Sequence, residues 1–259
     1  ALGHAGFMAI GAYTSAIITT SLNLPHLILF TIAFLASGLF AAFFGIVIGV
    51  PALRLKGDYL AIITLGFGEI IRNIIQNLKI TNGAKGYKGI ITYIKDYEVN
   101  GYVNFTLIFF FTALTIIVVY NLIKSRHGRA IISIREDEIA AEASGINITY
   151  YKILAFSLAA FLAGIGGALY AHNTGILAPE KFNYNYSIEM VIMVVLGGMG
   201  NIIGSIFAAI FLTLLPQLLS NFASYRMLIY SILLIAVMLL KNYNIKNPNI
   251  KRLLSFGKR

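Results

Sequence analysis

Two residues of opposite charge, Glu69 and Arg72, lie three positions apart in an otherwise apolar stretch. In a helix this spacing places both side chains on one face, where they can form an ion pair. Ionisable residues within a membrane-spanning segment are costly and commonly belong to a functional site. The nearby Asn73, Gln76 and Asn77 make this segment too polar to face lipid. A structural ion pair and a group that carries a proton or ion are the two interpretations that the sequence leaves open.

Beyond this pair, the sequence offers little of the chemistry that enzymes use. Cysteine is absent, which excludes disulfides and thiolate metal sites. The histidines at positions 4, 26, 127 and 172 have no metal-ligand spacing, and no nucleophile stands in an arrangement with a base. A phosphate-binding loop of the form GxxxxGK[ST] is absent too. The sequence therefore predicts a chain that is not an enzyme and that needs neither a metal nor a cofactor.

The most charged stretch between apolar segments has the signals of a short helix. Ser133 followed by Glu136 has the spacing of a capping box, which predicts that a helix begins there. Gly145 can adopt the left-handed conformation that ends a helix. Asn147 or Thr149 can then cap the next helix.

This loop, residues 124–150, also has two features of a docking element. Its acidic residues fall in the predicted first turn, where the helix dipole favours negative charge; they are Glu136, Asp137 and Glu138. Its small residues give a smooth surface that suits a helix seated in another protein's groove; they are Ala140, Ala141, Ala143 and Ser144. A solvated loop helix that binds nothing is the alternative interpretation.

The composition of the chain is that of a protein embedded in a membrane. Of its 259 residues, 58% are hydrophobic and 12% are charged, and the mean hydropathy is +0.81. A soluble domain carries about a quarter charged residues, so most of this surface must face lipid. The net charge is +10. In a membrane protein this is typical of basic loops that set topology, which argues against a nucleic-acid partner.

Seven stretches approach the roughly 20 apolar residues that cross a bilayer as a helix. They are Phe7–Leu24, Leu27–Val50, Tyr59–Asn77, Phe105–Ile123, Tyr151–Ala171, Ile202–Leu219 and Met227–Leu240. An eighth, Ser187–Leu196, has only about ten residues, too few for a full crossing. The prediction is an all-α, polytopic integral membrane helical bundle with seven or eight spans. It would form a single transmembrane domain over residues 1–240.

The distribution of basic residues predicts the orientation of the chain. The loops 51–57 and 124–152 and a basic tail, residues 241–259, hold most of the Lys and Arg and are predicted to be cytoplasmic. The outer loop, residues 78–104, carries four Lys and weakens this bias. Since an even number of crossings must separate the second loop from the tail, the short segment 187–196 must supply one passage.

Glycine-rich breaks recur near the two ends of the chain. Gly3 and Gly6 open the first predicted helix, and Gly197, Gly198 and Gly200 precede the sixth. Paired Gly-interrupted segments predict two related repeats around a substrate path. The alternative is close helix packing, for which Gly45/Gly49 and Gly200/Gly204 have the GxxxG spacing. The chain also begins at Ala1 within an apolar stretch, so we expect a preceding helix to be missing.

Four stretches carry a resemblance to a known family. The coupling loop of ABC-importer permeases has Glu-Ala-Ala, three residues and Gly; here Glu138-Ile139-Ala140-Ala141 reaches Gly145 one residue late. The longer string 128–147 resembles the branched-chain amino-acid permease family, of the LivM type. Residues 2–13, 53–66 and 195–200 agree with that family in the same order. One departure is Thr81-Asn82-Gly83, where the family usually has Thr-Gly-Gly.

The resemblance implies a permease subunit of an ABC importer, with leucine, isoleucine and valine as cargo and alternating access as mechanism. Implied partners are a second permease subunit, two cytoplasmic ABC ATPases, an extracytoplasmic substrate-binding protein and membrane lipid, in a bacterial-type cytoplasmic membrane. Alternatives are the same machinery importing urea, short amides or a sugar, and an ion-coupled secondary transporter that uses Glu69 or Glu189.

Two groups of site residues follow from these interpretations. By analogy, the residues expected to couple to the ATPase are Arg129, Arg135, Glu136, Asp137, Glu138, Ala141, Glu142 and Gly145. The residues expected along the translocation path are Gly3, His4, Gly6, Thr64, Gly66, Glu69, Gly197, Gly198 and Gly200.

Overall fold

The computed structural model describes residues 2–22, 25–55, 57–90, 102–218 and 235. The α-helices in this part of the chain are α1 His4–Ser21, α2 His26–Ala52, α3 Asp58–Asn77, α4 Tyr102–Lys124, α5 Arg126–Glu136, α6 Glu138–Ala143, α7 Ile148–Thr174, α8 Tyr184–Gly197 and α9 Ile202–Leu218. Short 3₁₀ turns lie at Gly83–Lys85 and Pro179–Phe182. The predicted helical architecture is confirmed for the described residues.

Two of the described helices are both long and apolar enough to cross a bilayer. They are Ile28–Ala52 and Ile148–Thr174, with hydropathies of 2.3 and 2.0. Helix α4 qualifies only together with α5, from which it is bent by 73°. The apolar helices α8 and α9 are shorter. The predicted count of seven or eight spans and the two repeats stay predictions, and Met227–Leu240 lies outside the described residues.

Helices α1 and α3 have 18 and 20 residues, which is near the length of a span. Neither is as apolar as α2 or α7. Most of α1 is buried among other helices, and a helix shielded by protein needs no continuous lipid-facing surface. Burial among other helices therefore explains why α1 can be less apolar than α2 and α7, and its crossing of the membrane stays a prediction.

The core is the packing of α1, α2 and α7 against one another. Glycines let the backbones touch: a Cβ on Gly11 would lie 2.0 Å from the carbonyl oxygen of Gly164, and one on Gly167 would lie 2.0 Å from that of Met8. On α2, a Cβ on Gly45 would lie 2.7 Å from the Ala160 side chain. Small residues at such positions permit close approach of membrane helices.

The loops at the far end of α7 are held by a small antiparallel sheet. Strand β1, Tyr87–Lys88, pairs with β2, Ile176–Leu177, with Tyr87 opposite Leu177. Leu177 and Phe182 are buried beneath it. The sheet therefore ties the loop after α3 to the loop after α7.

The described residues fall into two compact units. One ends at Ile188 and the other begins at Glu189. The single transmembrane domain over residues 1–240 stays a prediction, and the basic tail 241–259 lies outside the described residues.

Candidate functional site

The charged loop between α4 and α7 contains two short helices, α5 and α6, called here the coupling segment. Helix α5 begins at Ser125, whose Oγ accepts a hydrogen bond from the Gly128 amide at 3.0 Å. A Cβ on Gly128 would lie 1.9 Å from the Leu122 carbonyl oxygen, so the sharp bend after α4 requires glycine there. The coupling segment thus turns abruptly away from α4.

The predicted helix start at Ser133 and Glu136 is wrong. Ser133 lies inside α5, where its hydroxyl donates to the Ala130 carbonyl at 2.9 Å. The break falls instead at Asp137, whose Oδ1 accepts from the amides of Ile139 and Ala140 at 2.9 and 3.1 Å. Since Asp137 satisfies the free amides of α6 itself, no capping box is needed.

The predicted end of the coupling segment is confirmed. Gly145 has φ +82°, the left-handed conformation that favours glycine after a helix. Of the two residues proposed to cap α7, Asn147 does so, with its Oδ1 accepting from the Tyr150 amide at 3.0 Å.

Most predicted coupling charges are already engaged within the chain. Arg135 pairs with Glu136 at 2.5 Å, and Glu138 pairs with Lys152 of α7 at 2.8 Å. The Arg129 guanidinium donates to a backbone carbonyl, that of Lys124, at 3.0 Å. The Arg129 contact joins α5 to the end of α4, and the Glu138–Lys152 pair joins α6 to the start of α7.

The exposed surface of α6 combines one large aliphatic side chain, two alanines and one carboxylate. Ile139 is 80% exposed, whereas Ala141 is only 4% exposed and faces inward. The neighbouring Ala140, Glu142 and Ala143 are exposed. The sequence reasoning missed Ile139, although a large aliphatic residue at the start of a charged loop helix is a recognisable signal.

A cavity of about 410 Å³ lies behind the coupling segment and opens between α5, α7 and the start of α1. Its lining is mainly apolar and includes His4, Phe7, Ile131, Ile134, Arg135 and Lys152. The cavity brings together His4, predicted for the path, and Arg135, predicted for coupling.

The start of α1 packs directly on α3. The Leu2 amide donates to Thr64 Oγ1 at 3.0 Å. A Cβ on Gly3 would lie 2.7 Å from the Thr64 carbonyl oxygen, and one on Gly6 would lie 2.9 Å from the Gly68 Cα. These glycines let the N-terminus of α1 lie against the middle of α3, and Thr64 is buried.

The first turn of α8 meets the same place. Glu69 forms the predicted ion pair with Arg72 at 2.7 Å, which is confirmed. Its Oε1 also accepts from the Tyr184 amide at 2.8 Å, and Ser187 Oγ accepts from the Ala5 amide at 3.0 Å. Two helix N-termini, each carrying partial positive charge, thus converge beside α3 and Glu69. We call this the N-terminal junction.

The remaining predicted path residues are Gly66 of α3 and three glycines of the second unit. A Cβ on Gly66 of α3 would meet no other atom within 4 Å, and this glycine is partly exposed. Gly197 belongs to the second unit, where a Cβ would lie 2.4 Å from the Ser205 Cα. Gly198 and Gly200 form the turn between α8 and α9, with φ +100° and +86°. Among the described residues, no group of three or more His, Asp or Glu is placed to hold a metal ion.

Comparisons with known proteins point to one family. Residues 1–240 match the family described as branched-chain amino acid transport system, permease component. The high-affinity branched-chain amino acid transport system permease protein LivM of Escherichia coli is 36% identical over 253 residues, 88% of this chain and 59% of that protein. The probable branched-chain amino acid transport permease protein LivM of Methanocaldococcus jannaschii is 28% identical over 62% of this chain and 49% of its own length.

A relative with a different named cargo also matches. The ribose import permease protein RbsC of Escherichia coli is 30% identical over 44% of this chain and 38% of its own length. The chain spans about 59% of the length of the Escherichia coli LivM protein. No solved structure matches it.

Proposed function

The chain belongs to the family of branched-chain amino acid transport permease components, and we propose that it is the membrane-spanning subunit of an ABC importer for leucine, isoleucine and valine. It would reside in a bacterial-type cytoplasmic membrane with a second permease subunit. Two cytoplasmic ATPases would drive it, and an extracytoplasmic binding protein would deliver the cargo. The similarity to LivM over 88% of the chain supports this assignment.

The observation that carries the proposal is the exposed surface of the coupling segment. Ile139 is 80% exposed on α6, where Glu138 is paired with Lys152 of α7 and Glu142 is an exposed carboxylate. An exposed aliphatic side chain surrounded by small residues suits a groove on another protein. In the proposed complex, Ile139 and the small residues beside it enter a groove of the ATPase.

The coupling segment is linked to the transmembrane helices by two routes. Glu138 of α6 is paired with Lys152 of α7, so a displacement of α6 pulls directly on a core helix. Helix α5 also contacts α7, and α7 packs against α1 in the core. A packed core transmits small shifts because it cannot deform continuously. Motion of the ATPase would therefore reach α7 directly and α1 through α7.

The N-terminal junction is the proposed moving part of the path. Glu69 lies about 17 Å along α3 from its start, near the middle of the helix. Transporters place broken helix ends at this depth, next to the substrate. The junction is held by single hydrogen bonds from Tyr184 and Ala5. In the proposed mechanism these contacts break and re-form as access alternates.

A second candidate cargo is a sugar. The similarity to the ribose permease covers 44% of this chain, and the same fold can serve different cargoes. An ion-coupled secondary transporter is less well supported, because Glu69 is engaged by Arg72 and by the Tyr184 amide.

The proposal is tested by uptake of radiolabelled leucine in cells that lack their own importer. Cells would carry the complete transport system, with or without this chain. We expect leucine uptake that requires the chain and stops on ATP depletion. Valine and isoleucine should compete with leucine, and ribose and urea should not. Competition by ribose would indicate that the cargo is a sugar. Uptake that survives ATP depletion and stops with a protonophore would contradict the ABC mechanism.

The role of the junction is tested separately with Glu69→Ala and Glu69→Gln. Loss of a hydrogen-bonded charge is worth about 1.5–3 kcal/mol, so E69A should lower the uptake rate at least about tenfold. E69Q retains an acceptor for the Tyr184 amide and should lie between E69A and wild type. Asp58→Asn, which removes an exposed carboxylate from the first turn of the same helix, is the matched control. Full uptake by E69A would show that Glu69 has no role in the transport path.

A further inference from the structure

Four exposed lysines gather at the end of α7 opposite the coupling segment. They are Lys79, Lys85, Lys88 and Lys181, and we call this surface the lysine cap. They come from the turn after α3, the first 3₁₀ turn, strand β1 and the second 3₁₀ turn. The pairing of β1 with β2 and the packing of the two 3₁₀ turns bring these elements together.

Among the described residues, the lysines of the cap form no salt bridge, and the salt bridges that are present join other groups. The one carboxylate within these elements is Glu180, which is itself exposed. The stretch 91–101, outside the described residues, adds Lys95, Asp96 and Glu98 to the loop. The described part of this surface is therefore predominantly positive.

The backbone that carries the lysines is tightly held. Thr81 is buried and its hydroxyl donates to the Ile75 carbonyl at 2.5 Å. A Cβ on Gly86, which has φ +78°, would lie 2.5 Å from the Leu177 carbonyl oxygen. Thr20 of α1 is hydrogen-bonded to Tyr87 OH at 2.6 Å. A surface fixed in this way needs little ordering when it binds a partner.

The position of the cap relative to the membrane bears on the role of its positive charge. Helix α7 has 27 residues and is about 40 Å long, so the cap and the coupling segment lie on opposite sides of a bilayer. With the coupling segment in the cytoplasm, as the proposed function requires, the cap faces outward. Lysines on the outer side work against the charge bias that orients membrane proteins. Their charge therefore calls for a role other than topology.

We propose that the lysine cap is the electrostatic docking surface for the extracytoplasmic binding protein, and that this partner presents an acidic face to it. The inference rests on the proposed function. Lys85 and Lys88 border an open depression of about 620 Å³, together with Asn82, Ala84 and Gly86. An open depression with cations on its rim accepts acidic side chains of a folded partner. Complementary charge of this kind mainly accelerates association.

The test measures association of the binding protein encoded with this chain to the complete transporter in nanodiscs. For Lys85→Glu with Lys88→Glu, we expect the association rate to fall about tenfold at about 0.01 M salt. The difference should shrink to within about twofold at about 1 M salt, where charges are screened. Poly-L-glutamate should compete with the wild-type complex. The charge-preserving pair K85R with K88R is the matched control and should behave as wild type.

A second charge reversal, Lys79→Glu with Lys181→Glu, lies on other elements and guards against a local folding defect. Equal association of wild type and both reversals would overturn the proposal. So would a loss of binding to phosphatidylglycerol vesicles with unchanged association of the binding protein, which would assign the cap to lipid. Because association is measured without transport, salt-sensitive docking in a system that imports no leucine would support the cap and contradict only the cargo.

Discussion

The two ends of α7 present opposite kinds of surface. At the coupling end, Arg135 and Glu138 are paired within the chain, and Ile139 is an aliphatic side chain that is 80% exposed. At the other end, the lysine cap carries exposed charges without ion pairs among the described residues. The first surface suits an apolar contact, and the second suits a charged one.

This difference fits the two kinds of contact that an importer needs. A contact that transmits force must stay tight, and apolar burial is insensitive to salt. A contact with a partner that arrives and leaves benefits from charge, which accelerates encounter without adding much affinity. We therefore predict that partner binding at the cap depends on ionic strength and that partner binding at the coupling segment does not.

The largest effect is expected from disrupting the packing of α7, the helix that joins the two ends. Gly167→Ala places a Cβ 2.0 Å from the Met8 carbonyl oxygen, where only backbone movement can relieve the clash. Overpacking of this kind costs about 1–3 kcal/mol or more, and both ends should fail together. Thermal unfolding of the purified protein measures the loss. Gly166→Ala, whose Cβ meets nothing within 4 Å, should keep or slightly raise stability. Equal stability of the two variants would contradict this packing.

The next largest effect is expected when the same substitution, isoleucine to glutamate, is made at each end in turn. Ile139→Glu places a charge where an apolar contact is proposed and should lower ATPase binding at least about tenfold. Ile176→Glu, at a 56% exposed position beside the cap, should leave ATPase binding unchanged. Co-purification of the ATPase with each variant measures this. Equal loss in both variants would mean that the contrast between the ends is not functional.

The smallest effect concerns the ion pair between Glu138 and Lys152. Partly exposed pairs contribute about 0.2–1 kcal/mol, so Lys152→Glu alone should reduce uptake only a few-fold. Reversing both charges, with Glu138→Lys added, should restore it if the pair links α6 to α7. Uptake rates of the two single variants and the double variant measure this coupling. Additive losses without rescue would show that the pair transmits nothing.

Much of this fold was predictable, since long apolar stretches locate α2, α4 and α7 directly. The ion pair of Glu69 and Arg72 and the cap at Asn147 also followed from local spacing. The break at Asp137 did not. Ser133 has the right spacing for a cap, but α5 already begins at Ser125 and continues past it. Two residues with the spacing of a helix cap can therefore lie close together in the sequence. Which of them caps a helix depends on where the preceding helix starts.

The N-terminal junction was only half visible in the sequence. Ala5 and Glu69 belong to recognisable stretches, but their hydrogen-bond partners Ser187 and Tyr184 lie 182 and 115 residues away along the chain. A hydrogen bond to a free helix amide leaves no periodicity or motif in the sequence. Contacts of this kind are known only once the helices are placed in space.

The central claim is that Ile139 enters the ATPase, and a disulfide tests it most directly. Since the chain has no cysteine, Ile139→Cys is a unique thiol. With single cysteines along the groove of the ATPase, mild oxidation of the assembled transporter should give a crosslink whose yield changes when ATP is added. Ile176→Cys should give none. Absence of any crosslink from position 139, in a complex that still imports substrate, would contradict the account.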